Sequence, residues 1–336
     1  MMANELEARI LEFHEYGLWN ELAVQSPQGT IFHNSDYLQV VADASSSKLK
    51  IYGCFKNDEL VGGCSLFVKD WGGVVSYAAS SGPLTPYGGF LLPGLDTSKV
   101  RESELVQHGI INTLCDSIRE DRYSSITITN SPDLPDIRPC LWRGWKGSVA
   151  YAYYIDLEGN FPERFSKSVR REVRKAEDTG LHIEKLDDAA THHKLLTQVF
   201  DRQDQDTPVE ENFFTSMLGL TERKKCGGMW VARDESENIL TSRIWIWDNK
   251  RAYAWSAASN QGFRGSGANR LLFVSLLEEM QKMGFHQVNM MHGNTQRLSY
   301  HATGYNPILV PYYSVARRDF VYNLASTIQT AIKNRR

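Results

Sequence analysis

The chain has 336 residues, 42% of them hydrophobic, with five cysteines and a formal net charge of −3 at pH 7. That length suits two domains with real cores, and the near-neutral charge excludes a general nucleic-acid binder, whose affinity rests on many cationic contacts to phosphate. Cys54, Cys64, Cys115, Cys140 and Cys226 form no C-x-x-C pair, which argues against a disulfide framework and against a zinc site, so no metal is expected.

The first residues lack the basic stretch and apolar run of a secretory leader, and no segment reaches the roughly 20 apolar residues that span a bilayer. A reduced, cytoplasmic setting is the expectation. In chain order, the runs 52–55 and 60–68 flank the polar turn Lys56-Asn57-Asp58-Glu59 and read as a hairpin. Thr85-Pro86-Tyr87-Gly88-Gly89-Phe90 follows, then a helix over 102–119 and a strand over 125–129. A junction between domains falls at 145–151. A second hairpin joins 229–233 to 239–245, and 239–248 pairs in turn with 251–258 through Asp248-Asn249-Lys250. A helix over 267–282 and a strand over 287–291 complete the series. Hairpin, helix and strand thus recur in one order, at a period far longer than any solenoid repeat, which predicts a duplicated domain. The boundaries expected are 1–148, 149–318 and a terminal helix over 319–336.

Only the second copy has a glycine-rich stretch before its helix, Asn260-Gln261-Gly262-Phe263-Arg264-Gly265-Ser266-Gly267-Ala268-Asn269-Arg270. Glycines let backbone N–H groups converge, and the first helical turn adds unpaired N–H groups at the positive end of the dipole, so this is the construction of an anion site. A dinucleotide fold would place its G-x-G-x-x-G after the first strand, not late in the chain behind a hairpin.

At the opening of the second copy, Arg164, Lys167, Arg170, Arg171, Arg174 and Lys175 fall on one helix that ends at Gly180, with Lys167, Arg171 and Lys175 four residues apart on one face. Two readings stay open: a solvated face laced with ion pairs to Glu163, Glu172 and Glu177, or a clamp for substrate phosphates.

Arg264-Gly265-Ser266-Gly267-Ala268-Asn269 resembles the pyrophosphate loop R/Q-x-x-G-x-G/A of the GNAT acyltransferases, departing from it at Asn269. Asn294 followed by Tyr300-His301-Ala302-Thr303-Gly304-Tyr305 resembles the closing segment of that family. With the duplicated plan, the Thr-Pro-Tyr-Gly-Gly element, the basic helix and Val310-Pro311-Tyr312-Tyr313, the chain resembles the tandem GNAT-like Fem-type and polysaccharide-biosynthesis acyltransferases over most of its length. The resemblance implies an α/β (α+β) fold of two GNAT-like domains, each a mixed, mostly antiparallel sheet flanked by helices.

It also implies an acyl-CoA, acetyl-CoA first, bound at Arg264, Gly265, Ser266, Gly267, Ala268 and Asn269. Tyr300 would protonate the leaving thiolate and His292, at the end of a splayed strand, would be the base, with Asp248 or Asp201 behind it. Tyr87, Gly88, Lys167 and Arg171 would meet the acceptor, an amine of a small-molecule, amino-sugar or nucleotide-linked glycan precursor. A covalent route through Cys226 lacks a neighbouring histidine, and His192-His193 are expected to be exposed. Two alternatives remain: a Fem-type transfer from aminoacyl-tRNA to a cell-wall peptide, and a non-catalytic double-GNAT binding module. The terminal segment, with Phe320, Leu324, Ile328 and Ile332 at intervals of four, is expected to dock on its own domain, weak contact with a membrane surface being the other reading.

Overall fold

The computed structural model describes residues 6–71, 75–263, 265–291 and 293–319. The chain divides into two compact units, the residues up to Ala150 together with the segment from Tyr312, and Tyr151–Pro311. In the first unit the order is β1 (Leu6–Ile10), α1 (Tyr16–Gln25), α2 (Ser35–Ala44), β2 (Lys48–Lys56), β3 (Glu59–Trp71), β4 (Val75–Ala79), β5 (Gly89–Leu91), α3 (Val100–Glu120), β6 (Ser125–Thr129) and α4 (Arg138–Trp142). Strand β7 (Lys146–Asp156) leads into α5 (Lys167–Glu177), β8 (His182–Lys185), α6 (Ala189–Asp201), α7 (Glu211–Lys224), β9 (Gly227–Arg233), β10 (Ile239–Trp247), β11 (Ala252–Ser259), α8 (Ala268–Lys282), β12 (Gln287–Asn289) and α9 (Gln296–Ala302), and β13 (Ile308–Arg318) follows.

Each unit has a mixed, mostly antiparallel sheet. In the first the order is β1-β2-β3-β4-β6-β13, with β5 on β3, and in the second β7-β12-β11-β10-β9-β8. The duplicated plan is visible in the pairings. In one unit β2, β3 and β4 form an antiparallel meander, α3 follows, and β6 returns parallel to β4. In the other β9, β10 and β11 do the same, α8 follows, and β12 returns parallel to β11.

Local chemistry sets these elements. The β2–β3 turn needs two residues at positive φ, and Asn57 (φ 50) and Asp58 (φ 63) supply them. Ser166 starts α5 by accepting the Val169 N–H at 3.3 Å. Helix α8 buries Leu272, Phe273, Leu276, Leu277 and Met280 against Trp230, Trp245 and Val288, while α3 buries Ile110, Ile111, Leu114 and Ile118 against Tyr52, Leu66 and Ile126. Each such aliphatic side chain contributes about 1.5–3 kcal/mol on leaving water.

Two boundaries differ from the sequence reading. The strand expected over 287–291 stops at Asn289, because the Asn289 carboxamide accepts the Met291 N–H at 2.7 Å and Met291 takes φ 68. Residues 314–318, read as part of the second domain, pair with β6 of the first unit, Ser314 opposite Thr129 and Arg318 opposite Ser125. Of the helix read over 319–336, Phe320 onward lies outside the described residues.

Candidate functional site

The site is built where two parallel strands part. Among the described residues, strand β11 pairs with β12 at Ala252 and Tyr253, opposite Val288 and Asn289, while it stays paired with β10 to Ser259. Beyond Asn289 the chain stays on β7, with which β12 is already paired. The Met290 N–H bonds the Tyr153 carbonyl at 2.8 Å, and the Asn294 carboxamide accepts the Tyr151 N–H at 2.7 Å and donates to its carbonyl at 3.0 Å. Asn294 therefore acts as a strand partner made from a side chain. Between these positions Gly293 passes so close to Tyr151 that a Cβ would sit 2.7 Å from its carbonyl oxygen. The consequence is a wedge beside residues 254–259 of β11, open at the end where the glycine loop begins.

The loop leaves β11 at Asn260 and enters α8 at Ala268. Gly265 (φ 87) and Gly267 (φ 79) both occupy the left-handed region, where side chains other than glycine are strained. Three of the N–H groups are used internally: Gly262 N–H bonds Asn260 Oδ1 at 3.0 Å, Ser266 N–H bonds the Phe263 carbonyl at 3.3 Å, and Ala268 N–H bonds Ser266 Oγ at 3.3 Å. The N–H groups of Gly265, Gly267 and Asn269 have no acceptor among the described residues. A Cβ on Gly265 would meet nothing within 4 Å, whereas one on Gly267 would lie 2.9 Å from Ala176 Cβ and 3.0 Å from the Glu172 carbonyl. Gly265 thus faces open space, and Gly267 permits the close approach of α5. Three unpaired donors at the positive end of a 15-residue helix can hold a phosphate or diphosphate.

Three sequence motifs converge around the first turns of α8. Glu172 of α5 pairs with Arg270 at 2.6 Å. The Gly304 carbonyl accepts the Ser166 N–H at 2.8 Å, and a Cβ at Gly304 would meet Val169 Cγ2 at 2.9 Å. Tyr305 packs edge-on against Phe165 and Phe273, at 5.3 and 4.8 Å between centroids. Burial pushes the Tyr305 hydroxyl pKa up, and the positive charges of Arg243 and Arg270 oppose that rise.

Tyr300 stands on α9 with 81% of its surface exposed, so it is a surface residue and not a core one. Lys167 and Arg171 are exposed on α5, and neither has a carboxylate partner among the described residues, nor do Arg174 and Lys175. The carboxylates expected to pair with them are placed otherwise: Glu163 accepts from Asn160 and Glu172 from Arg270. Arg264 and His292 lie outside the described residues.

Other expectations are corrected. Tyr87, expected to meet substrate, is 1% exposed and packs edge-on between Phe32 and Tyr312. Gly88 is tied down from both sides, its N–H bonded to the Thr129 carbonyl at 3.1 Å and its carbonyl accepting from His33 Nε2 at 2.8 Å. The element's glycines serve close packing, since a Cβ on Gly89 (φ 84) would run into Asn130. Asp248 closes the β10–β11 turn through the N–H groups of Lys250 and Arg251 and the Tyr253 hydroxyl, roughly 20 Å along β11 from the loop at strand rise. His192 is fully buried rather than exposed, its two ring nitrogens each 2.8 Å from a serine hydroxyl, Ser242 and Ser256. Burial pushes the Cys226 thiol up to about 11, so it offers little thiolate for a covalent route.

Sequence reasoning passed over Arg243. It lies on β10, places its guanidinium 4.6 Å over the Phe273 ring and donates to Asn269 Oδ1 at 2.8 Å. A charged residue in the middle of a strand was the signal for it.

In the first unit Glu104, His108 and Asp136 lie close enough to share a cation. Arg138 already pairs with both carboxylates and His108 bonds Asp136 at 2.8 Å, which makes the cluster an ion-pair network and not a metal centre.

Residues 163–305 match the family model described as an acetyltransferase (GNAT) domain. No curated protein matches the chain in sequence. Among solved structures, FemX superposes with a TM-score of 0.70 at 10% identity, over 91% of this chain and 96% of that one. A tandem GNAT protein from the clavulanic acid biosynthesis pathway, solved without AcCoA, gives 0.56 at 12% identity, covering 93% and 98%. L-PGS from Bacillus licheniformis gives 0.54 at 13% identity, covering 97% of each chain. At these identities the likeness establishes the fold, which is that of tandem GNAT proteins.

Proposed function

We propose that this chain, whose residues 163–305 match the model of an acetyltransferase (GNAT) domain, is an N-acyltransferase that moves an acyl group from acyl-CoA to the amine of an amino-sugar or glycan precursor. The observation that carries the reading is the set of N–H groups of Gly265, Gly267 and Asn269, which have no acceptor among the described residues, at the mouth of the β11–β12 wedge. A diphosphate on that backbone directs the thioester arm along the wedge, beyond Ala252 and Tyr253, the described residues of β11 that pair with β12.

The chemistry asked of the chain is modest. Holding thioester and amine together lowers the barrier by several kcal/mol, and a free N–H of β11 would stabilise the oxyanion as the amine adds to the carbonyl. Collapse of that adduct forms the amide and expels the thiolate. Tyr300, exposed on α9, is the proposed proton donor to the thiolate, and His292 is the proposed base that takes the proton from the amine. The acceptor side is assigned to Lys167 and Arg171, whose unpaired charges on α5 suit phosphate groups of a nucleotide-linked precursor.

Aminoacyl-tRNA as donor is the second reading. The observation favouring it is the same exposed basic face of α5, where Lys167, Arg171, Arg174 and Lys175 have no carboxylate partner among the described residues. Isothermal titration of the purified chain with acetyl-CoA and with charged tRNA, each at low and high salt, separates the two. Tight CoA binding that weakens little with salt supports the first reading, and tRNA binding with a steep salt slope and no CoA binding supports the second.

A further inference from the structure

Asn269 stands where the GNAT loop pattern has a small residue, and its side chain is held in one orientation. Arg243 brings Nη2 to 2.8 Å from Asn269 Oδ1, and the Thr241 hydroxyl lies 3.4 Å from the same oxygen. A guanidinium can only donate hydrogen bonds, so the atom it meets is the carboxamide oxygen and the NH2 group is turned away from it. That NH2 has no acceptor among the described residues, and the residue is exposed.

Arg243 is short of a partner as well. Its Nε is buried without an acceptor, and no carboxylate pairs with it among the described residues. Two cations, Arg243 and Arg270, flank the positive end of the α8 dipole, and of the two only Arg270 has a carboxylate, Glu172. Burial pushes the Arg243 pKa down to about 10, so the charge is desolvated as well as uncompensated. Charge and hydrogen bonding here both call for an anion.

We infer that Arg243 is a positioning residue of the donor site: it holds the Asn269 carboxamide by its oxygen so that the NH2 meets the diphosphate, a fourth donor beside the three loop N–H groups. The inference rests on the acyl-CoA reading above. It names the ligand feature that is read, a diphosphate ester, and explains why this loop carries Asn269 in place of a glycine or alanine.

The test is isothermal titration with CoA, and with pantetheine, which keeps the thiol arm and lacks the phosphates. Wild type is compared with Arg243→Met, Asn269→Ala and Asn269→Asp. Asn269→Asp keeps the shape and gives Arg243 a carboxylate, but it offers the phosphates an acceptor. The expected result is a loss of CoA affinity of about tenfold or more in Arg243→Met and in Asn269→Asp, the scale of a charge-assisted hydrogen bond. Arg243→Met with Asn269→Ala should bind no more weakly than Arg243→Met alone, because the arginine acts through the asparagine, and pantetheine should bind every variant alike. Should Arg243→Met fail to fold, the two exposed-site variants at Asn269 carry the test. Equal CoA affinity in wild type, Asn269→Ala and Asn269→Asp overturns the inference while leaving the donor reading intact. Equal losses for CoA and pantetheine also overturn it, since they mark general damage. No CoA binding by wild type overturns the donor reading and the inference together.

Discussion

Glu172 on α5 and Arg270 on α8 meet at 2.6 Å, one turn from the point where Gly267 packs against the α5 backbone. The pair fastens the basic helix to the start of the helix that would carry the diphosphate. Both side chains are partly exposed, so solvent screens the pair and its worth is about 0–1 kcal/mol. Glu172→Gln should lower the unfolding free energy by no more than that, which chemical denaturation would measure. A loss several times larger would mean that the pair sits in a drier environment than its exposure indicates.

The two loop glycines should separate stability from binding. Gly267→Ala forces a Cβ to within 3.0 Å of α5 at a positive φ and should cost about 1–3 kcal/mol of stability together with CoA affinity. Gly265→Ala meets no neighbour, so it should cost only the backbone strain of its positive φ, about 1–2 kcal/mol and less than Gly267→Ala, while still weakening CoA binding. Melting temperature and CoA dissociation constant measured on both variants check this. Equal destabilisation by the two substitutions would contradict the packing role assigned to Gly267.

How legible was this architecture beforehand? The repeated order of hairpin, helix and strand could be read because each element is marked locally, by turn residues such as Asn57-Asp58 and by apolar spacing such as Leu272, Leu276 and Met280. The glycine loop could be read because its chemistry lies in consecutive residues. Tyr87 could not be placed, since a motif specifies its backbone and not whether the ring between Phe32 and Tyr312 meets solvent. Arg243 and Asn269 are 26 positions apart, and only the register of β10 beside α8 brings them together. The end of β12 depended on a side chain, Asn289, capping its own strand, which apolar spacing does not encode.

His192 should give the fold a pH dependence. Burial holds its pKa down at about 3, so the folded chain keeps it neutral where the unfolded chain, with an ordinary value near 6.5, takes up a proton. No penalty exists above about pH 6.5. Below that, stability should fall by about 1.4 kcal/mol per pH unit until the pH approaches the folded value. Denaturation curves at pH 7.5, 6.0 and 5.0 would show it, and His192→Asn should flatten the profile. A wild-type stability that stays constant from pH 6.5 to 5.0 would contradict the burial of a neutral imidazole between Ser242 and Ser256.

Direct attack and covalent transfer differ at Cys226. With its thiol pKa raised to about 11, Cys226 should be alkylated slowly by iodoacetamide at pH 7.5, and Cys226→Ala should keep acyl transfer within about twofold of wild type, a difference of under ~0.5 kcal/mol in barrier. Loss of activity in a folded Cys226→Ala variant would reinstate a covalent intermediate.

Tyr300 is exposed enough that its removal should leave the fold undisturbed. Tyr300→Phe is expected to lower kcat by about 100-fold or more, the scale of a single general acid, without changing the melting temperature or the CoA dissociation constant. Unchanged turnover would remove Tyr300 from the reaction.

The most direct measurement is the thermal stability of the wild-type chain with CoA, acetyl-CoA, longer acyl-CoAs and NAD, each far above its expected dissociation constant. Ligand at 100 times that constant adds about 2.7 kcal/mol, enough to move the midpoint by degrees. The account predicts a shift with CoA and its thioesters and none with NAD. A midpoint unmoved by any CoA compound would contradict it.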